Sequence, residues 1–295
     1  MSWRDKRPLK PFEWGFLVLL LAVLLYVAAS LWGVVAGGLP NLGRALADGE
    51  IRFAVGLSLW TATLSTLLCI LIGIPCAYLL AFTPLPGKRW AEALLELPLA
   101  LPYLVLGLCL LTLFSSPFGK ALKELGLRLV FDPKGIVAVH LLINLPFVIH
   151  LAAQAFRQID PELPLTAQTL GATRLQAFRY ITLPLCRPAL LSAFLLAWSR
   201  GMGEFGATLM LVGVTWLKTE TLPASIYLNI STGDNGMALA AALLLLLLSL
   251  AVQGGEPSGR TKRKGSVTWT GIPCTRRSAP PWPPPWKSTA SPARR

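Results

Sequence analysis

The sequence predicts an all-α integral membrane protein. Of its 295 residues, 54% are hydrophobic and only 14% are charged, and the mean hydropathy is +0.59. This composition is typical of chains that cross a membrane several times. A helix needs about 20 apolar residues to cross a bilayer, and six stretches of the chain approach or exceed that length. We therefore expect about six transmembrane helices in contact with membrane lipid.

The predicted spans cover residues 14–37, 53–82, 97–114, 136–156, 189–214 and 237–252. Basic residues precede the first span, as they do in a secretory signal. However, its apolar run exceeds the usual 7–15 residues of a signal, so we expect it to be retained. The predicted organisation is an N-terminus over 1–13, a transmembrane domain over 14–252 and a tail over 253–295.

The composition of the chain changes sharply after Gln253. The tail is basic and rich in proline, which predicts a disordered segment rather than a packed domain. Residues 254–261 imitate a phosphate-binding loop, but Arg260 replaces its lysine and an apolar span, not a strand, precedes it. We therefore expect no ATPase site in this chain, and no role in nucleic-acid binding.

The distribution of lysine and arginine predicts the orientation. Outside the tail, the side that holds the N-terminus carries ten basic residues and the opposite side carries seven. Because basic residues favour the cytoplasmic side, both termini are expected in the cytoplasm. The segment between the fourth and fifth spans is then cytoplasmic as well.

That segment, residues 160–188, is polar and helix-forming between two apolar spans. Asp160 is placed to cap a first short helix, Gly171 to end it, and Thr173 to cap a second. Pro184 and Pro188 are expected to end the second helix. The pattern predicts a compact pair of short helices on the membrane surface, suited to docking another molecule.

The spacing in this segment resembles the cytoplasmic-loop signature of the permease subunits of binding-protein-dependent ABC importers. The resemblance rests on Gly171, followed after nine residues by Ile181, Leu183 and Pro184. It implies that the segment is a coupling element, which sits in a cleft of a separate ATPase subunit. The alternative is an ordinary cytoplasmic loop.

The first part of the signature departs from the family pattern. The family opens it with Glu-Ala-Ala, whereas this chain has Leu165, Thr166 and Ala167. The absent glutamate removes any polar contact that it makes in the family. The resemblance implies small or apolar contacts to the ATPase instead.

The predicted fifth span contains Arg200 and Glu204. A charge in the bilayer costs about 2.5–3.5 kcal/mol, so such residues usually face a cavity or a partner. They are four residues apart and able to pair, among small residues that include Gly203 and Gly206. One interpretation is a pathway lining near a gate where two permease copies meet. The other is a packing seam whose charges satisfy each other.

The segment GEFGATLMLVG (203–213) and the following TETLPASIYLNISTGD resemble the fifth span and outer loop of molybdate permeases. The resemblance covers roughly residues 53–250. It implies a homodimeric permease in a bacterial or archaeal cytoplasmic membrane, served by two ATPase subunits and an external oxyanion-binding protein. Tungstate has the same shape and charge as molybdate, and a sulfate or other anion permease remains an alternative. An ion-coupled secondary transporter would be expected to show internal repeats.

The remaining polar residues indicate no catalytic, cofactor or metal site. The five cysteines contain no C-x-x-C pair, and His140 and His150 are expected to pack or to form hydrogen bonds. An oxyanion pathway would be lined by hydroxyls and backbone amides, although a hydroxyl in a helix often bonds to its own backbone instead. The hydroxyl candidates are Ser58, Thr61, Thr63, Ser65, Thr66 and Thr208.

Overall fold

A computed structural model describes residues 11–254 of the chain. In chain order its α-helices are α1 (Pro11–Gly38), α2 (Leu42–Ala47), α3 (Gly49–Phe82), α4 (Lys88–Ala100), α5 (Tyr103–Ser115), α6 (Pro117–Glu124), α7 (Pro133–Arg157), α8 (Glu162–Thr169), α9 (Arg174–Ala177), α10 (Leu183–Met202), α11 (Gly206–Val212), α12 (Leu222–Thr232) and α13 (Asn235–Gly254). Five helical stretches are long and apolar enough to cross a membrane, and α4 with α5 forms a sixth if this bent pair is one span. The expectation of an all-α protein with about six spans is confirmed.

Aspartate side chains begin two of the long helices. The Asp48 carboxylate accepts hydrogen bonds from the backbone amides of Glu50 and Ile51, at 2.8 and 3.1 Å, where α3 starts. Asp132 accepts one from the amide of Lys134 at 3.0 Å at the start of α7. These carboxylates satisfy amides that have no partner within their own helix. The helices therefore begin sharply at the ends of the bundle.

The prediction of one continuous helix over 97–114 is wrong. The chain bends by 113° between α4 and α5. Leu101 is extended, with φ −85° and ψ 144°, and Pro102 follows it. Proline disfavours the helical conformation of the residue before it and cannot donate a backbone hydrogen bond, so the helix stops at Ala100. Helical structure on this stretch also begins earlier than predicted, at Lys88.

The prediction of a fifth span over 189–214 is also wrong in its bounds. Pro184 and Pro188 do not end a helix, since α9 leads through a π-helical turn, Phe178–Thr182, into α10. The wider hydrogen-bond pattern of a π turn comes just before Pro184, which has no amide hydrogen to donate. The span then ends at Met202, and a break of three residues separates it from α11.

The core of the bundle lies where α3, α7 and α10 meet. Small side chains with no exposed surface, such as Ala62, Ala77, Ala152 and Ala197, line these contacts. Small residues let helices approach closely where no water is present to drive apolar packing. The result is a tight three-helix centre, against which the shorter helices pack.

Helix α1 lies at the outside of the bundle. None of the residues in its most apolar 18-residue window is buried. Its C-terminal end contacts α13, where a Cβ at Gly38 would lie 2.5 Å from the carbonyl oxygen of Leu239. The rest of the helix presents apolar side chains outward, as a lipid-facing span does. The predicted tail, apart from Gln253 and Gly254, and residues 1–10 of the predicted N-terminus lie outside the described residues.

Candidate functional site

The α8–α9 segment (residues 160–188) forms the predicted pair of short helices. Asp160 Oδ1 accepts a hydrogen bond from the amide of Glu162 at 3.0 Å. Thr173 Oγ1 accepts one from the amide of Gln176 at 3.3 Å, and the Gln176 side chain accepts one from the amide of Thr173 at 2.8 Å. This reciprocal arrangement is a capping box. The predicted caps at Asp160 and Thr173 are therefore confirmed.

Gly171 makes the turn between the two helices. Its φ is +98°, a conformation that residues with a Cβ rarely adopt. No heavy atom lies within 4 Å of the position that a Cβ would occupy. Glycine is therefore favoured here by backbone conformation and not by close packing.

The inner face of the segment is attached to the ends of two spans. Phe178 packs edge-on against Tyr78 of α3, with ring centroids 4.9 Å apart, and against Phe156 of α7 at 6.1 Å. Ala177 is buried beside them, and Leu183 packs against the adjoining core. The segment is therefore packed against the ends of α3 and α7 and continues into α10.

The outer face of the segment is exposed and mixes apolar side chains with polar ones such as Glu162, Arg174 and Gln176. Leu165 and Thr166 lie on it, whereas Ala167 and Ile181 are half-buried. Sequence reasoning missed three exposed side chains, Leu170 (84%), Leu175 (72%) and Tyr180 (71%). The sequence does contain a signal for these side chains, because they are large apolar residues in a polar segment between membrane spans. Together with Leu163, they are large apolar side chains that the rest of the described bundle leaves exposed.

A second group of functional candidates lies at the end of α10. The Arg200 guanidinium donates a hydrogen bond through Nη2 to the Tyr103 hydroxyl at 2.9 Å. It also lies over the Phe147 ring, 4.5 Å from the centroid, which is a cation–π geometry. Its Nε is buried without a partner. Tyr103 and Phe147 come from α5 and α7, so only the tertiary structure reveals them as partners of Arg200.

Arg200 and Glu204 do not form the ion pair that their spacing allowed. Because α10 ends at Met202, Glu204 does not occupy the next turn of the same helix. Its carboxylate turns to α11 and accepts a hydrogen bond from the amide of Ala207 at 2.7 Å. Glu204 is only 4% exposed, and this bond to the first turn of α11 compensates part of its burial.

The glycines around this pair differ in their surroundings. Gly203 is exposed, and only carbonyl oxygens of its own helix lie within 4 Å of a Cβ placed there. Gly206 faces Tyr103, because a Cβ placed on Gly206 would lie 3.6 Å from the Cβ of Tyr103. Gly201 is buried against His140 and Asn144, at 3.4 and 3.5 Å from its Cβ position. Gly203 therefore leaves an open surface beside Arg200, whereas Gly201 is a packing position.

The polar side chains of α7 are partly satisfied by hydrogen bonds. His140 Nδ1 lies 3.3 Å from Ser65 Oγ, and His150 Nε2 lies 2.7 Å from Gln154 Nε2. Both histidines make hydrogen bonds, as expected. Asn144 is 1% exposed, yet neither its amide nitrogen nor its oxygen has a hydrogen-bond partner.

The predicted hydroxyl candidates serve mainly the helices themselves. Thr61 and Thr66 donate to carbonyl oxygens one turn earlier in α3. Ser58 accepts a hydrogen bond from the amide of Leu222 at 2.8 Å, and Thr63 accepts one from the Trp198 indole at 3.0 Å. Thr208 is buried without a partner. Ser65 donates to the carbonyl oxygen of Ala62 at 3.0 Å. Five of the six hydroxyls therefore form hydrogen bonds within the bundle.

At the end of the bundle opposite the α8–α9 segment, the loop between α11 and α12 contains a buried carboxyl group. Glu220 has no exposed surface, and among residues 11–254 neither of its carboxyl oxygens has a hydrogen-bond partner. Burial, together with the neighbouring Glu50 carboxylate, raises the pKa of Glu220 from 4.5 to about 7. The sequence contains no signal for this site, because Glu220 lies in an ordinary polar loop.

This chain belongs to the family described as "Binding-protein-dependent transport system inner membrane component", whose model matches residues 70–254. It is 35% identical to the molybdate/tungstate transport system permease protein WtpB of Pyrococcus furiosus over 216 residues, which cover 72% of this chain and 80% of that protein. It is 33% identical to the sulfate transport system permease protein CysT of Salmonella typhimurium over 203 residues, 68% of this chain and 73% of that one. Family membership therefore follows from the sequence.

A solved structure shows the same fold. A chain of the bacterial alginate ABC transporter, crystallised with an alginate pentasaccharide-bound periplasmic protein, matches with a TM-score of 0.68. The alignment covers 81% of this chain and 91% of that chain, at 18% sequence identity. The predicted class, a multi-pass permease of the ABC type, is confirmed by the family and the fold together.

Proposed function

We propose that this chain is the membrane-spanning subunit of an ATP-driven importer that moves a tetrahedral oxyanion, molybdate or tungstate, into the cytoplasm. The α8–α9 segment carries the proposal. It exposes large apolar side chains on its outer face, packs against α3 and α7 through Phe178, and resembles a coupling loop. ATPase subunits that close on ATP would displace this face and with it the spans.

The partners follow from the same surfaces. The outer face of the α8–α9 segment is the docking site for an ATPase subunit, and the chain has no ATPase activity of its own. Both termini and this segment lie in the cytoplasm, and the opposite ends of the spans receive an oxyanion-binding protein. A second copy of the chain completes the pathway, and Arg200, Glu204, Gly203 and Gly206 lie near its gate.

The open surface around Arg200 supports the gate assignment. The guanidinium is held in place by Tyr103 and Phe147 while Glu204 is engaged with α11. The positive charge of Arg200 is thus not neutralised by a carboxylate within 4.0 Å among the described residues. A fixed cation of this kind attracts a dianion to the place where the two copies meet.

Selectivity among oxyanions is expected to lie mainly in the binding protein, because the pathway needs only to pass a released dianion. The test is therefore stimulation of ATP hydrolysis in the assembled permease–ATPase complex, in nanodiscs, by binding proteins loaded with molybdate, tungstate or sulfate. Molybdate- and tungstate-loaded proteins should stimulate hydrolysis, and the sulfate-loaded protein should not. Equal or stronger stimulation by the sulfate-loaded protein would reject the substrate assignment and favour a sulfate permease, to which the chain is nearly as similar.

A further inference from the structure

A two-part cavity lies at the end of the spans opposite the α8–α9 segment. The larger part is an apolar groove of about 560 Å³ between α3, α5, α6 and α7. The smaller part, about 270 Å³, lies between α6 and the loop that precedes α7. The two parts share four lining residues, Phe114, Leu122, Leu127 and Leu129. They therefore form one continuous surface.

The two walls of the groove belong to helices that are long and apolar enough to cross a membrane. Trp60, Leu64 and Leu68 of α3 line one wall, and Val137 and Leu141 of α7 line the other. From the start of α7 to Leu141 the helix rises about 12 Å, at about 1.5 Å per residue. One leaflet of the hydrocarbon core is about 15 Å thick, half of about 30 Å. The α7 wall of the groove is therefore short enough to fit within a single leaflet.

The mouth of this groove is basic. Lys134 lines the groove, and Lys120, Lys123 and Arg128 line the adjoining smaller cavity. All four are exposed, and none forms an ion pair within 4.0 Å among the described residues.

Two acidic residues lie in the same stretch of chain. Residues 117–134 contain these four cations together with Glu124 and Asp132, which gives the stretch a net charge of +2. The Asp132 carboxylate is already engaged with the backbone amide of Lys134. Positive charge therefore remains unneutralised where a lipid headgroup would lie.

We propose that this surface binds one anionic phospholipid, with an acyl chain in the groove between α3 and α7 and the headgroup phosphate among Lys120, Lys123 and Lys134. The combination of an apolar slot within one leaflet and unpaired cations at its mouth matches both halves of such a lipid. The site does not depend on the proposed transport function. In the orientation proposed above, it faces the extracytoplasmic leaflet.

The test is native mass spectrometry of the delipidated full-length chain, titrated with phosphatidylglycerol or with phosphatidylcholine of the same acyl chains. Phosphatidylglycerol should bind more tightly than phosphatidylcholine. Replacing Lys120→Gln and Lys134→Gln together should weaken phosphatidylglycerol binding about 25-fold, at about fivefold per cation near an anionic lipid. Binding of phosphatidylcholine should not change. Lys218→Gln, an exposed lysine that lines neither cavity, is the matched control and should bind both lipids as the native chain does.

A second variant tests the groove itself. Ala138→Trp fills the slot beside Val137 and should reduce binding of both lipids. Equal binding of the two lipids by the native chain, or no effect of the double lysine variant, would overturn the proposal. So would inorganic phosphate competing as well as the intact lipid, because the acyl chain would then contribute nothing. If Ala138→Trp instead converted a dimer into monomers with lipid binding unchanged, the groove would be an interface between copies.

Discussion

At the scale of single residues, the buried carboxyl groups of this protein are stabilised in different ways. Glu204 is buried but accepts a hydrogen bond from the first turn of α11. Glu220 is buried without a hydrogen-bond partner and lies near a second carboxylate, Glu50. Burial and a like charge both oppose ionisation of this carboxyl group, so its pKa is raised to about 7.

The raised pKa of Glu220 predicts a pH-dependent stability. Between pH 4.5 and about 7 the group is ionised in the unfolded chain and protonated in the folded one. The folded state then binds more protons, so its stability falls as pH rises through this window. The unfolding temperature in detergent should accordingly drop between pH 5 and pH 8.

Glu220→Gln should reduce that drop, because an amide does not ionise. Glu124→Gln makes the same chemical change at an exposed position of α6 and should leave the pH dependence as it is in the native chain. An unchanged drop in the Glu220→Gln variant would show that Glu220 is already ionised when folded.

At the scale of elements, glycine has two separate uses in this fold. Gly171 is required by its left-handed conformation, in open space. Gly107 of α5 is required by contact, because a Cβ there would lie 2.6 Å from the carbonyl oxygen of Ala207 in α11. The first use shapes a surface, and the second joins two helices.

Gly171→Asp should leave membrane insertion intact but weaken retention of the ATPase during purification and abolish transport. The substitution strains the left-handed turn and adds a charge to a surface that must dock. Gly233→Asp is the matched control: its φ of +85° is similarly left-handed, its Cβ position is also open, and it lies at the other end of the bundle. It should retain the ATPase.

The measurement is the ratio of ATPase to permease after detergent purification, alongside the amount of inserted chain and the uptake rate. A Gly171→Asp variant that inserts, keeps its ATPase and transports normally would show that the α8–α9 segment is not the coupling element.

Gly107→Ala should destabilise the protein by about 1–3 kcal/mol, the usual cost of an overpacked contact. The methyl group meets backbone atoms of α11, which have no side-chain freedom with which to give way. Gly56→Ala also replaces a glycine inside a helix, but nothing lies within 4 Å of its Cβ position. That change should be neutral or stabilising by up to about 1 kcal/mol.

Thermal unfolding of both variants in the same detergent measures the difference between the two changes. Equal unfolding temperatures would mean that α5 and α11 separate easily, and the close contact at Ala207 would then not be a fixed part of the fold.

At the scale of the whole molecule, the described residues form a single bundle whose two ends differ in chemistry. One end carries the exposed outer face of the α8–α9 segment, and the other carries buried Glu220 and the basic mouth of the groove. In the proposed function, the first end docks a soluble subunit. Such an asymmetry suits a subunit that works between partners on opposite sides of a membrane.

The whole chain, purified free of other subunits, should hydrolyse no ATP above background, because its sequence lacks a credible nucleotide loop. ATP hydrolysis should appear when the partner ATPase is added to the same preparation. Activity that persisted without the partner and vanished in an Arg260→Ala variant would show that residues 254–261 bind nucleotide after all.

The sequence alone determined the all-α membrane class, the caps at Asp160 and Thr173 and the turn at Gly171. These depend on local hydropathy and on backbone sterics, which neighbouring residues in the chain decide. Tertiary structure decided the bend between α4 and α5, the partners of Arg200 and the burial of Glu220. A proline in the sequence indicates where a helix can break, but it does not determine the angle of the bend. Packing against other helices sets that angle. Likewise, Arg200 pairs with Tyr103 and Phe147 instead of Glu204 because three distant segments meet there, and no local spacing encodes that meeting.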